Sequence, residues 1–524
     1  MKMRLHTTRA RTCGAVLWPV AGCALATLCA GDWPQYRGPN HDGVSTEMIR
    51  TNWSEQAPRE VWRIPLDPAL SSFAVVGGRA FTLARRPGNG QDQEYCIALN
   101  ADTGVELWAS LPLGVASYPN GGVGPDDGPR STPAVDGDLV YVLSSYLRLV
   151  CLSATNGALV WSKDLVAEYG STVVNWQSAA SPLIDGDLVF VIGNAPGKSL
   201  FAFHKSDGKE AWKGQDDIMT QASPVAATIA GVRQVIFFAQ SGLVSVAPDS
   251  GSVFWRYPFR FSVATAASPV VGNDIVYCSA AYGVGAGAVR ITGSGSQLAT
   301  NEVWRTQFDL MNHWATPVYS DGYLYGIYGQ AETAASMRCI GLATGHEQWR
   351  QPIAGMGGVL FASGLVLALI EDGYLLLVKP DPMGYSETAR YRALDGFHSS
   401  NPALAVKCWN VPAISNGRIY ARSTTEAVCL DVAGSGTQLP LKLTPALAPG
   451  AGTFQLFIGD EGGSSIDTNR AARIDIFAIT NLTACPSGWV KLTNSVVLTN
   501  SQLLLEDTER AATAQRFFKV EERP

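Results

Sequence analysis

The residues best suited to chemistry in this 524-residue chain stand shortly ahead of a recurring Ser/Thr-Pro pair or its Val-Pro counterpart. They are Arg130; Asn175, Trp176 and Gln177; Gln221; Thr265; Asn312, His313 and Trp314; and Cys408, Trp409 and Asn410. Large aromatics beside amides and single charges suit a ligand with flat apolar faces and hydrogen-bonding edges, such as a sugar, a quinone or a peptide edge. The same residues could instead plug a channel and satisfy loop backbone. Acid–base and metal chemistry are served less well. No Ser-His-Asp set stands out, and His313 and His398 lack ligand spacing. Asp126 and Asp127 are the obvious carboxylates nearby, and their Pro-Asp-Asp-Gly setting is that of a solvated turn. The binding set is therefore Arg130, Trp176, Gln177, Gln221, His313, Trp314, Trp409 and Asn410, with no catalytic residue and no metal ligand assigned.

These residues come from distant parts of the chain, so a repeating element must bring them together. One unit, Ser131–Trp161, reads as four short strands joined by tight turns. "TPAV" and "LVYVLS" are linked by Asp-Gly, a strong hairpin signal, and "LRLVCL" leads through "SATNG" into "ALVW". Unit-opening prolines stand at Pro133, Pro182, Pro224, Pro269 and Pro317, spaced by 49, 42, 45 and 48 residues, and the next, Pro412, follows after 95. The last step spans two units, the second of them Gly357–Pro380. With one more unit before Pro133, the count is eight. Four strands per unit at this period predict an eight-bladed β-propeller over residues 55–435. The eighth unit lacks an outer strand, which Glu60–Leu66 is expected to supply from the other end, closing the ring.

Within the units a Gly stands four residues before a Trp at Gly104/Trp108, Gly157/Trp161, Gly208/Trp212, Gly251/Trp255 and Gly345/Trp349. The Gly is expected in the left-handed position of the turn into the outer strand. The tryptophans, with Trp62 and Trp304, are expected to be buried between blades. Cys151, Cys339 and Cys429 occupy the position that Ala98 and Ala202 fill in other units and read as small core residues.

The segment "ALNADTGVELW" (Ala98–Trp108) resembles the pyrroloquinoline-quinone-type propeller repeat, and the likeness extends over about residues 55–435. The resemblance implies the propeller fold. That family holds quinone-dependent alcohol dehydrogenases and also the non-enzymatic lipoprotein subunit of the outer-membrane β-barrel assembly machine. For an enzyme it implies pyrroloquinoline quinone with Ca²⁺ held by Glu, Asn and Asp, a catalytic Asp, a Trp floor and often a lid of adjacent cysteines. Trp176, Trp314 or Trp409 could form the floor. The adjacent cysteines are absent and no calcium set can be assigned, so no cofactor is assigned, and pyrroloquinoline quinone with Ca²⁺ stays as the alternative. The expected role is a binding or assembly scaffold, with a quinone-dependent dehydrogenase of alcohols or sugars as the alternative.

The flanks concern location. Lys2, Arg4, Arg9 and Arg11 precede an apolar run to Ala30, which reads as a signal peptide over residues 1–30. Cleavage after Ala30 would expose Gly31, whereas "VAGC" would leave a lipid on Cys23. Export to the periplasm, envelope or medium follows, with no membrane span in the mature chain. Net charge is −6, and −10 without the four leader cations, which argues against a nucleic-acid partner and leaves an envelope protein or a glycan. "GDWPQYRGPNHDGVS" opens an arm, residues 31–54, expected to lie over the propeller. Residues 436–452 read as a linker and 453–524 as a small β-sandwich-like module.

Overall fold

The computed structural model describes residues 31–88, 90–119, 126–330, 335–396 and 406–433, and the strands within 441–522. The leader with Cys23, and His398, lie outside the described residues.

Eight antiparallel sheets form the propeller, each of four strands except blade 1, where a fifth short strand, Gly114–Val115, pairs with Gln91–Asn100. Blade 1 spans Ala74–Ala109, blade 2 Ala134–Asp164, blade 3 Leu183–Gly214 and blade 4 Val225–Pro258. Blade 5 spans Val270–Arg305, blade 6 Val318–Pro352, blade 7 Gly357–Arg392 and blade 8 Ala413–Asp431. Blade 8 takes its outer strand from Arg59–Pro65, which pairs with Glu426–Asp431. One short helix, Leu165–Tyr169, occurs among the described residues.

The repeated Gly and Trp belong to one joint between blades. Each Gly is left-handed, with φ between 68° and 73° at Gly104, Gly157, Gly208, Gly251 and Gly345. Each also lies flat against the Trp of the preceding blade. A Cβ on Gly157 would sit 2.5 Å from Trp108, and one on Gly208 would sit 2.6 Å from Trp161. The indole N–H then donates into the same turn: Trp62 to the Ala101 carbonyl, Trp108 to Ala154, Trp161 to Lys205, Trp212 to Pro248 and Trp304 to Leu342. Within its own sheet each Trp faces a small residue, such as Ala98, Cys151, Ala202, Cys339 or Cys429. A larger residue there would compete with the indole for space. These thiols are free and buried, and burial pushes Cys151 and Cys429 up to about 12 and Cys339 to about 11, so they stay protonated.

Two tryptophans depart from expectation. Trp304 and Trp349 are half-buried, unlike the other five. For Trp349 the reason is local. Blade 7 brings no left-handed Gly over it, and its N–H reaches the Asp381 carbonyl while Tyr385 packs edge-on. Trp255 differs in another way: it bonds Gln234 of its own blade, because blade 5 extends a long hairpin where others have the short turn.

Blades also join at the channel through the hydroxyls of the Ser/Thr-Pro pairs and, in blade 1, of Ser72, which Phe73 follows. The Val411 N–H donates to Ser72 Oγ, Ser72 N–H to Thr132 Oγ1, Thr132 N–H to Ser181 Oγ and Ser181 N–H to Ser223 Oγ. In the pairs, proline holds the residue before it extended, which aims its hydroxyl at the neighbouring blade.

The arm does more than lie over the ring; it crosses the channel and bonds to six blades. Trp33 pairs with Val75 of blade 1, Pro34 accepts from Val135 of blade 2, and Gln35 accepts from Ile184 of blade 3. Arg37 donates to the Thr316 and Pro317 carbonyls leading into blade 6, Gly43 and Ser45 bond Phe361 of blade 7, and Arg50 donates to carbonyls of Asp431 and Ala433 at blade 8.

Beyond the ring, Leu441–Leu447 is a strand, although it falls in the expected linker 436–452. It pairs with Phe454–Asp460 as the edge of a four-stranded sheet, where Pro445 needs no donor partner. A three-stranded sheet shares with it a small core of Leu456, Ile458, Ile476, Leu503 and Leu505.

Candidate binding cavity at the channel mouth

The loops entering blades 1 to 6 and blade 8 meet around a cavity of about 220 Å³. Seven of the eight sequence-selected residues line it: Arg130, Trp176, Gln221, His313, Trp314, Trp409 and Asn410. Gln177 does not. Trp176 and Gln177 are both left-handed, at φ 62° and 58°, and the turn buries Gln177 behind the loop while Trp176 stays on the wall. Thr265 and Asn312 are buried hydrogen-bonding residues, and Cys408 is core.

Sequence reasoning missed two aromatics. Tyr36, from the arm, and Tyr282, in a left-handed position after a blade 5 strand, complete the lining. Selecting only residues ahead of the repeated prolines could not find them. The aromatic content of "WPQYRGP" was the available signal for Tyr36.

The aromatic wall is continuous. Tyr282 meets His313 edge-on at 5.0 Å, His313 meets Trp314 at 4.5 Å, and Trp314 lies 4.2 Å from Trp409. Trp409 donates to Glu371 Oε1 at 2.7 Å, and Lys407 lies over its ring. Glu371 is buried and also accepts the Met356 N–H, so Trp409 is tied into the protein from behind. The opposite wall is braced by main-chain contacts. Arg130 donates to the Trp176 carbonyl, and Gln221 donates to Asn175 at 2.8 Å. An open groove of about 470 Å³ shares Trp176 and Gln221 with the cavity and runs past Val173, Val174, Phe261 and Val263.

Charge at the mouth is internally balanced. Arg130 grips Asp127 with both oxygens at 2.8 and 2.9 Å, and stacks over Tyr118. Burial raises the Asp127 pKa, against the opposing pull of Arg130. Glu94 is fully buried, accepts from Tyr118 and from the Ser145 N–H, and is likewise raised by desolvation.

A family model described as outer membrane protein assembly factor BamB matches residues 92–351. The repeat that this match covers is the one that builds the eight blades. Over the matched residues the chain carries the pyrroloquinoline-quinone-like propeller repeat. Among solved structures, this repeat propeller is similar to BamB from Moraxella catarrhalis, at 16% identity and TM-score 0.50 over 73% of this chain and 99% of that one. It is also similar to the quinohemoprotein alcohol dehydrogenase from Comamonas testosteroni, at 12% identity and TM-score 0.55 over 82% and 84%. A second such dehydrogenase, ADHIIG from Pseudomonas putida HK5, gives 13% and 0.55 over 80% and 84%. At these identities the likeness is one of fold. No curated protein matches the chain.

The cavity of this repeat propeller can be tested against the quinone and Ca²⁺ that the repeat resemblance implies for an enzyme. No carboxylate lines it, and among the described residues no three His, Cys, Asp or Glu side chains converge. Three acids near the mouth are held by neighbours, Asp127 by Arg130, Asp126 through Oδ2 by the Thr424 hydroxyl and Glu371 by Trp409. The described residues do not fit a Ca²⁺-held quinone. No described helix is long and apolar enough to cross a membrane.

Proposed function

We infer that this propeller is a non-enzymatic binding or assembly scaffold, exported to the cell envelope, that holds a partner protein or a glycan at the channel mouth. The observation that carries the reading is the cavity itself. Three indoles, from Trp176, Trp314 and Trp409, stand beside Gln221, Asn410 and a charge-neutralised Arg130. Such a wall offers apolar contact with a few fixed hydrogen bonds, which is how binding sites obtain both affinity and orientation. The match to an outer-membrane assembly factor favours a protein partner in the envelope. The test is a pull-down from the envelope fraction beside a glycan array, each with the wild-type chain and Trp176→Ala. Specific capture that weakens in the variant supports the scaffold.

The second reading, a quinone-dependent dehydrogenase of alcohols or sugars, draws on the fold shared with the alcohol dehydrogenases. Adding pyrroloquinoline quinone and Ca²⁺ to the purified protein and following alcohol-dependent dye reduction tests it directly. Stoichiometric binding with turnover would replace the scaffold reading. Mass spectrometry of the mature N-terminus tests export: Gly31 or a lipidated Cys23 supports it, and an intact Met1 on a cytoplasmic protein refutes it.

A further inference from the structure

The mouth cavity is closed at its inner end. Tyr36, Ser181 and Ser223 line it there and also border the space beyond, which measures about 10 Å³ and is water-sized. An occupant therefore enters and leaves on the outer side. On that side the groove that shares Trp176 and Gln221 leads away past exposed Asn175, Ser262 and Val263.

The cavity walls are rich in ring faces, and most of their polar groups are already bonded within the protein. Gln221 is engaged at both ends of its amide, donating to the Asn175 carbonyl and accepting the Thr265 N–H. Asn410 donates to the Ser71 carbonyl, Trp409 to Glu371 and Arg130 to Asp127. Ser72, Thr132, Ser181 and Ser223 each accept one main-chain N–H, so these four hydroxyls remain able to bond an occupant. A sugar brings a hydroxyl on nearly every carbon, and most would lose water here without a replacement. An aromatic ring has no such loss and gains contact with the indoles of Trp176, Trp314 and Trp409. Size agrees. An apolar cavity of about 150 Å³ takes a benzene ring, and this one, at about 220 Å³, has room for a ring and the stem that carries it.

Charge narrows the choice further. Among the described residues lining the cavity, Arg130 alone is permanently charged, and both oxygens of Asp127 neutralise it. The described residues of the groove carry no charge at all; Val173, Val174, Phe261 and Val263 supply its apolar surface. A neutral apolar site matches a neutral apolar occupant. A free aromatic compound would fill the cavity and leave the groove bare, whereas a polypeptide fills both.

We propose that the mouth takes a segment of a partner protein by one aromatic side chain. The ring sits in the cavity, and its uncharged apolar neighbours in the chain lie along the groove. The hydroxyls at the inner end can meet a polar tip such as that of tyrosine. This inference rests on the scaffold reading and names the occupant of its site.

The full chain is panned against a displayed library of random peptides, and a synthetic peptide of the enriched sequence is titrated by calorimetry into wild type, Trp176→Ala and Val263→Asp. Val263 is exposed in the groove, so its variant should fold whatever the fate of Trp176→Ala. The enriched peptides should share one aromatic residue beside uncharged apolar residues. Replacing that aromatic by Ala, or Trp176 by Ala, should weaken binding about tenfold or more. Val263→Asp should weaken it in the same direction. The peptide should also displace any envelope protein that the chain captures through its mouth. No enrichment, a shared sequence without an aromatic residue, or binding indifferent to both variants would overturn the inference. Capture of an envelope protein that is lost in Trp176→Ala yet is not displaced by the peptide would overturn it too, and so would a glycan bound at the mouth with no peptide binding. In those last two cases the scaffold reading stands, whereas quinone-dependent turnover would remove both.

Discussion

Trp108 of blade 1 donates its indole N–H to the Ala154 carbonyl of blade 2 at 3.0 Å, and Gly157 of that same turn lies flat on its ring. The repeated Gly and Trp therefore act across the blade boundary, not within one blade. Gly157→Ala forces a Cβ into a left-handed residue and into the indole. We expect a loss of about 2–4 kcal/mol in urea unfolding. Gly77→Ala is the control: it is left-handed too, but nothing lies within 4 Å of its added Cβ. It should cost only about 1–2 kcal/mol. Equal losses would show that backbone strain alone explains the glycine.

Burial predicts different weights for the tryptophans. Trp212 is 8% exposed and bonded to Pro248, so Trp212→Ala should destabilise by roughly 3–5 kcal/mol. Half-buried Trp349 should cost about 1–2 kcal/mol on the same scale. Denaturant midpoints of the two variants, compared at matched slope, check the order.

At the mouth, Trp176 and Trp409 should separate binding from folding. Trp176 has no side-chain hydrogen bond among the described residues, so Trp176→Ala should weaken a ligand by about 2 kcal/mol with stability nearly unchanged. Trp409→Ala strips a donor from buried Glu371 and removes the stacking partner of Trp314, so it should reduce stability as well. Calorimetric titration beside thermal melts distinguishes the two. Unfolding of both variants would identify the indoles as channel plugs.

His41 makes stability depend on pH. Burial lowers its pKa from 6.5 to about 4, so the unfolded chain binds the proton more readily between those values. Stability should hold above pH 6.5, fall as pH drops towards 4, and change no further from this group below that. The span is at most about 3 kcal/mol. Urea unfolding from pH 7 to 4 measures it, and the difference between wild type and His41→Leu isolates the His41 share. Identical profiles would remove His41 as the cause.

The ring was legible from the sequence because its signals are local and repeated. A turn glycine, a proline-opened strand and a tryptophan at fixed offset recur whenever a blade recurs, and the missing outer strand of blade 8 pointed to Glu60–Leu66. The same reasoning gathered seven cavity residues, since the fold places every strand entry on one rim. It failed where a side chain depends on contacts outside its own repeat. Tyr36 enters from the arm, Gln177 is turned away by two successive left-handed residues, and Trp349 lacks a covering glycine only because blade 7 differs. Pro445 in "LPLKLTPALAPG" read as a linker residue, although an edge strand accepts proline equally well.

The strand Arg59–Pro65 and its partner Glu426–Asp431 stand at opposite ends of the repeat region, and the Arg59–Asp431 pair spans 372 positions. Synthesis therefore makes this strand first and its partner last. Blades 1 to 7 each have all four strands within a short stretch and can form as they emerge, but the ring has no closed state until the final blade exists. Until then the chain carries two open sheet edges, at the earliest strand and at the newest blade. Closure of so long a loop is slow relative to hairpin formation. A chain ending before Glu426 should keep several formed blades and still be prone to pair with its neighbours, because the edge that Arg59–Pro65 would cover is missing.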